Sequence, residues 1–211
     1  MHTESAPDSE SKVGTTLAPV YRTLGELYLE PPTERNVAAI EEWCVTIDEE
    51  WDVSTGTDSE STPAKLGEAV GAVREADPDL DELRGAFTRL LQGVGRGELP
   101  APPYESLYTD GVLNGPSSTE VQAFYLEAGL ELAVEEDLVD HAGYELAFLA
   151  ELCERGGPER ELGFIRTHLG TWIGEFHAET EPHDPPPFYR GVFALTESLL
   201  DLHADLLEGG P

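Results

Sequence analysis

The chain has 211 residues, 39% of them hydrophobic, and 43 acidic residues against 12 basic ones give a formal net charge of -31. That length accommodates one core, or two small ones sharing an interface. The acid excess leaves no basic stripe to neutralise phosphates, so nucleic acid is excluded as a partner. Because the acids run along the whole chain, they read as a surface adapted to a cytoplasm at very high salt rather than as a local module for a basic partner. At about 1 M salt the Debye length falls to about 3 Å, and any partner must then be held by apolar burial and direct charge pairs.

Residues 1–14 are polar, acidic and rich in Ser, and read as a disordered tail with no apolar leader segment. No apolar run approaches the 18 residues that a membrane span needs, so a soluble, cytoplasmic protein is expected. Leu17, Val20, Tyr21, Leu24, Leu27 and Tyr28 recur at helical spacing until Pro31 and Pro32 stop the pattern. Thr33 can cap a second helix with Val37, Ile40, Trp43, Cys44, Ile47 and Trp51 on its inner face, and residues 53–62 read as a loop. Thr62-Pro63 and Asp77-Pro78 each set an N-cap before a proline and predict two further helices. The stretch GVGRGELPAPP, residues 93–103, breaks the pattern and marks a hinge, which extends to about residue 117.

Ser117 and Glu120 have capping-box spacing and open a helix that Gly129 can end. Asp140 can cap a strongly apolar helix that runs to Gly156-Gly157. One helix from about Pro158 to Phe176 and one from about Pro187 to Leu206 complete the chain, separated by the proline-rich ETEPHDPPP. No period-2 strand and no repeat is visible. The fold class is therefore all-α, a bundle of about eight helices over residues 15–211, with an N-terminal half (15–95) and a C-terminal half (104–208) meeting at the hinge.

Candidate chemistry is sparse. His141 and Glu145 are four apart and share a helical face, as metal ligands often do, while His168 and His177 are turned about 180° from each other on a continuous helix and cannot easily converge on one ion. Cys44 and Cys153 lack metal or redox spacing and read as small buried hydrophobes. His203 near the end of the last helix suits the helix dipole. There is no phosphate loop, dinucleotide fingerprint or nucleophile elbow, so no enzyme, metal or cofactor is expected.

Four segments in order resemble the TorD/DmsD/NarJ-like family of molybdoenzyme maturation chaperones: PPYESLYTDG, SSTEVQAFYLEAGLEL, EEDLVDHAGYELAFLAEL, and FIRTHLGTWIGEF with PFYRGVFALTESLL. They cover roughly residues 100–205. Leu138 stands where the family usually has proline before the x-Asp-His motif, though the pair survives as Asp140 and His141. The resemblance implies a cytoplasmic, non-enzymatic, all-α chaperone that binds the twin-arginine signal peptide and apo form of a molybdenum-containing oxidoreductase, acting as a monomer or homodimer. Such a peptide carries two guanidiniums and an apolar stretch, which call for carboxylates beside an apolar groove. Asp140 with Glu135 or Glu136 is expected to supply the charge, Tyr104, Tyr108, Tyr125 and Trp172 the groove, and His141 a further polar contact. A metal-dependent hydrolase using His141 and Glu145 and a purely structural helical adaptor are the alternatives.

Overall fold

The structure, a computed structural model, describes residues 9–51, 61–95, 99–130 and 139–209. The residues read as the loop 53–62, the segment around Glu135 and Glu136, and Leu138 lie wholly or mostly outside these ranges. Within them are ten α-helices and one 3-10 turn, and the only β pairing is a single bridge. No helix there is long and apolar enough to cross a membrane.

The first helix, α1 (Ser9–Leu29), begins inside the segment read as a tail. α2 (Glu34–Trp51) is closed by reciprocal bonds between Thr33 and Asn36, the Asn36 amide donating to Thr33 Oγ1 at 3.3 Å and the Thr33 amide to Asn36 Oδ1 at 2.7 Å. α3 (Thr62–Glu75) is capped by Ser61, one residue earlier than expected. α4 (Leu80–Leu90) is capped by Asp79, not Asp77, whose carboxylate accepts from the Glu82 amide at 2.9 Å.

The hinge region contains a short helix, α5 (Glu105–Thr109), which the pattern did not reveal because one turn carries no periodicity. α6 (Pro116–Glu127) starts from Gly115, and Ser117 does not cap it: the Ser117 amide and hydroxyl both donate to Asp110 Oδ2, at 2.9 and 2.8 Å. α7 (Ala142–Arg155) ends on left-handed Gly156 as expected. The segment read as one helix from Pro158 is two, α8 (Pro158–Thr167) and α9 (Leu169–Thr180), separated at His168 with φ -124° and ψ -102°. α10 (Pro187–Leu207) closes the fold.

One continuous core takes side chains from both chain halves. α1 lies along α7, and α3 along α10. The first pair meets at two glycines: a Cβ on Gly25 would stand 2.8 Å from the Gly143 carbonyl oxygen, and one on Gly143 would collide with Leu29. The second pair meets at Gly191, where a Cβ would lie 2.8 Å from Val73 Cγ2. These approaches let backbones touch and lock the N-terminal helices against the C-terminal ones.

Gly25→Ala and Gly143→Ala should each destabilise the protein by about 1 to 3 kcal/mol through overpacking. Gly71→Ala, in α3 with nothing within 4 Å of its would-be Cβ, should be neutral or stabilising by up to about 1 kcal/mol. Denaturant unfolding of the three variants checks this, and equal behaviour would show that the α1–α7 contact is slack.

Candidate functional site

The site is built where α5 is fastened to the start of α7. The Ala142 amide donates to the Pro103 carbonyl and the Glu105 amide to the Asp140 carbonyl, both at 2.9 Å, and Tyr104 and His141 form an antiparallel bridge. Asp140 adds its side chain, Oδ2 accepting from the Ser106 amide at 2.9 Å. Asp140 therefore holds the first turn of α5 and does not cap α7. That cap falls to His141, whose extended backbone lets Nδ1 accept from the Gly143 amide at 3.1 Å.

This bond assigns the imidazole tautomer. With Nδ1 an acceptor, the neutral ring carries its proton on Nε2. Burial, opposed by Asp140, pushes the His141 pKa down to about 4, so the ring stays neutral. Its edge meets Tyr104 with centroids 4.9 Å apart. His141, Tyr104 and Tyr144 line a cleft of about 340 Å³, whose opposite wall comes from Leu29 of α1 and Phe87, Leu91 and Gln92 at the end of α4.

Behind the cleft lies an acidic interior. Glu105 is buried and meets His168 Nδ1 through both oxygens, at 3.0 and 3.1 Å. Glu145 is fully buried, with Oε2 3.4 Å from the Trp172 indole N–H. Burial first, then the nearby Glu105 and Asp140 carboxylates, push Glu145 well above the ordinary carboxylate range. Burial also raises Glu105, against the opposing pull of His168.

The predicted site residues separate into two groups. Tyr104 and His141 face the cleft, and half-buried Tyr108 stacks on Trp172 with centroids 5.5 Å apart while its hydroxyl donates to the Ala101 carbonyl at 2.8 Å. Asp140, Tyr125 and Trp172 are at most 2% exposed, which corrects the expectation that they line an open groove. Tyr125 donates to the Val139 carbonyl at 2.9 Å, and Asp140 is occupied with α5, because each is a polar tip on a body the core needs. Glu136 lies outside the described residues. Leu29, Phe87 and Leu91 were missed, since their apolar spacing reads simply as core, and Gln92 because a single amide after a helix carries no signal. Glu105 was missed because nothing in its neighbours signals burial.

The arrangement does not form a His141–Glu145 metal pair: His141 Nδ1 is committed to an amide, and Glu145 lies in the interior against Trp172. His168 and His177 also stay apart. His177 Nε2 meets the Tyr28 hydroxyl and its Nδ1 meets Glu197, each at 2.6 Å. His203 lies near the end of α10 as expected, and it is fully buried there.

The described residues thus form an all-α bundle with a short clasped helix over a small aromatic cleft. A family model described as nitrate reductase delta subunit matches residues 56–178, more than half of the chain, and the chain belongs to that family. Among its relatives is the chaperone protein TorD of Shewanella pealeana, 30% identical over 118 residues that make up 51% of this chain and 53% of that protein. The chaperone protein YcdY of Escherichia coli is 30% identical over 62% of this chain and 67% of its own length. The probable Tat proofreading chaperone DmsD of Haemophilus influenzae is 30% identical over 54% of this chain and 59% of its own. The chain thus spans about half the length of the TorD relative it matches. A solved structure of a candidate redox enzyme maturation protein from Archaeoglobus fulgidus shares the fold, with a TM-score of 0.53 at 18% identity over 98% of both chains.

Two outcomes test this geometry. Asp140→Ala should cost about 1 to 3 kcal/mol by leaving the Ser106 amide without its acceptor, and Asp140→Asn, which keeps an acceptor oxygen, should cost less. Unfolding curves with hydrogen exchange at Ser106 check it. The second concerns pH. A carboxyl whose folded pKa is raised adds stability that is complete below its unfolded value of about 4.5 and is lost as pH rises through the folded value. Glu145→Gln should therefore match the wild type in mild acid and exceed it in alkali. Parallel melting-temperature profiles would show that Glu145 is not protonated in the folded state.

Proposed function

We propose that this chain is a cytoplasmic maturation chaperone that holds a segment of an unfinished molybdenum-containing oxidoreductase, namely its twin-arginine signal peptide, until the cofactor is in place. The observation that carries the reading is the cleft between the Tyr104–His141 bridge and the end of α4. It offers apolar walls, two tyrosine rings and one neutral imidazole N–H, which suits an extended apolar segment with exposed carbonyls. The family relatives, which are named as chaperones, support the same reading.

The charge completes the chemistry. A net charge of -31 draws a cationic peptide at low salt, whereas at molar salt only short-range pairs and apolar contact persist. Asp140 serves indirectly, by fixing where Tyr104 stands.

A labelled twin-arginine peptide titrated at molar salt tests the proposal. Tyr104→Ala and Tyr144→Ala should each weaken binding by about 1 to 3 kcal/mol, and His141→Asn, which keeps a cap acceptor, by somewhat less. Unchanged affinity in folded variants would move the docking surface elsewhere, and no binding by the wild type would favour a structural adaptor.

A further inference from the structure

Away from the cleft, Cys153 of α7, Glu161 of α8 and His203 of α10 converge under α1. One ligand atom from each, the Cys153 Sγ, a Glu161 oxygen and a His203 nitrogen, all lie within 4.8 Å of one another. Each residue is at most 2% exposed. α1 crosses directly above at Gly14, where a Cβ would stand 2.9 Å from Glu161 Oε2 and 3.3 Å from Cys153 Cα.

Hydrogen bonding decides how His203 faces this group. The Tyr21 hydroxyl donates its one proton to the Leu199 carbonyl at 3.1 Å. The same oxygen lies 3.2 Å from His203 Nδ1, and this contact orients the ring. His203 Nε2 is then aimed at Glu161 Oε2, 3.0 Å away. Glu161 is itself positioned, its Oε1 accepting from the Gly157 amide at 3.0 Å. A proton or a metal ion between His203 Nε2 and Glu161 Oε2 satisfies both.

We propose that Cys153, Glu161 and His203 form a buried site for a divalent transition metal of the zinc type, which ties α7, α8 and α10 together beneath α1. Thiolate, imidazole and carboxylate together match the borderline softness of zinc. The Tyr21–Nδ1 bond is the outer contact that a metal-bound histidine uses to fix its ring. Charge balances: the ion displaces the thiol proton of Cys153 and the proton shared by His203 and Glu161, and two positive charges replace two. Ligand atoms of a tetrahedral zinc stand roughly 3.3 to 3.8 Å apart, so the group, whose ligand atoms lie within 4.8 Å of one another, closes on an ion with side-chain shifts of up to about 1 Å. Sequence spacing could not show the site, since the three residues lie on separate helices.

The full chain, purified without a histidine tag and stripped with chelator in denaturant, is refolded with increasing Co²⁺. The wild type should develop a thiolate-to-cobalt absorption band with the visible bands of a tetrahedral ion, saturating at one equivalent and displaced by zinc. Cys153→Ser and His203→Gln should weaken binding at least about tenfold, and Tyr21→Phe by about ten- to a hundredfold. Cys44→Ser, a buried cysteine outside the group, should bind as the wild type does. No band in the wild type with excess metal, an undiminished band in Cys153→Ser, or loss in Cys44→Ser would overturn the proposal. The wild-type and Cys44→Ser titrations decide it even where another variant fails to fold.

Discussion

Asp140 grips two consecutive amides of another segment at once, its carbonyl taking Glu105 and its carboxylate Ser106, in a place water does not reach. A charge-assisted bond of this kind is worth more in a dry interior than at the surface, and leaving either amide alone there would cost more still. Much of the site follows from it. With α5 held, Tyr104 lies against His141, Tyr108 reaches Trp172, and Glu105 points at His168, where α8 gives way to α9. Half a dozen residues on four helices take their places from one clasp.

The other wall of the cleft depends on a different constraint. α1 can approach α7 so closely only because Gly25 and Gly143 present bare backbone to each other. That approach carries Leu29 to the mouth of the cleft, beside Phe87 and Leu91 from α4. The cleft therefore belongs to neither half of the chain. It exists once the N-terminal helices are seated on the C-terminal core, and anything that loosens the seating alters both walls together.

In so acidic a protein the interior acids are the informative ones. Surface carboxylates keep their water, whereas burying one costs several kcal/mol unless donors replace that water or a proton neutralises it. Each buried acid here finds its own solution. Asp140 takes a backbone amide, Glu105 an imidazole, and Glu145 an indole N–H together with a raised pKa. Glu161 takes an amide and a second imidazole. These arrangements specify which helices meet, because apolar packing alone would tolerate small slips in register that hydrogen bonds do not.

The sequence by itself determined the helical class, the order of most elements, the stop at Gly156, the start at Pro187 and the family likeness. Each rests on local rules: apolar spacing, the fixed φ of proline and the left-handed freedom of glycine act within a few residues. It also singled out the Asp140–His141 pair but reversed the division of labour, since residue type favours aspartate as a cap and only the approach of α5 draws that carboxylate away. The break at His168, the one-turn helix α5 and the burial of Trp172 and Tyr125 were decided by tertiary contact. So were the far wall of the cleft and the meeting of Cys153, Glu161 and His203. An apolar stripe states that a face is covered but not by what, and a carboxylate or imidazole looks the same in sequence whether it faces water or a partner brought from another helix.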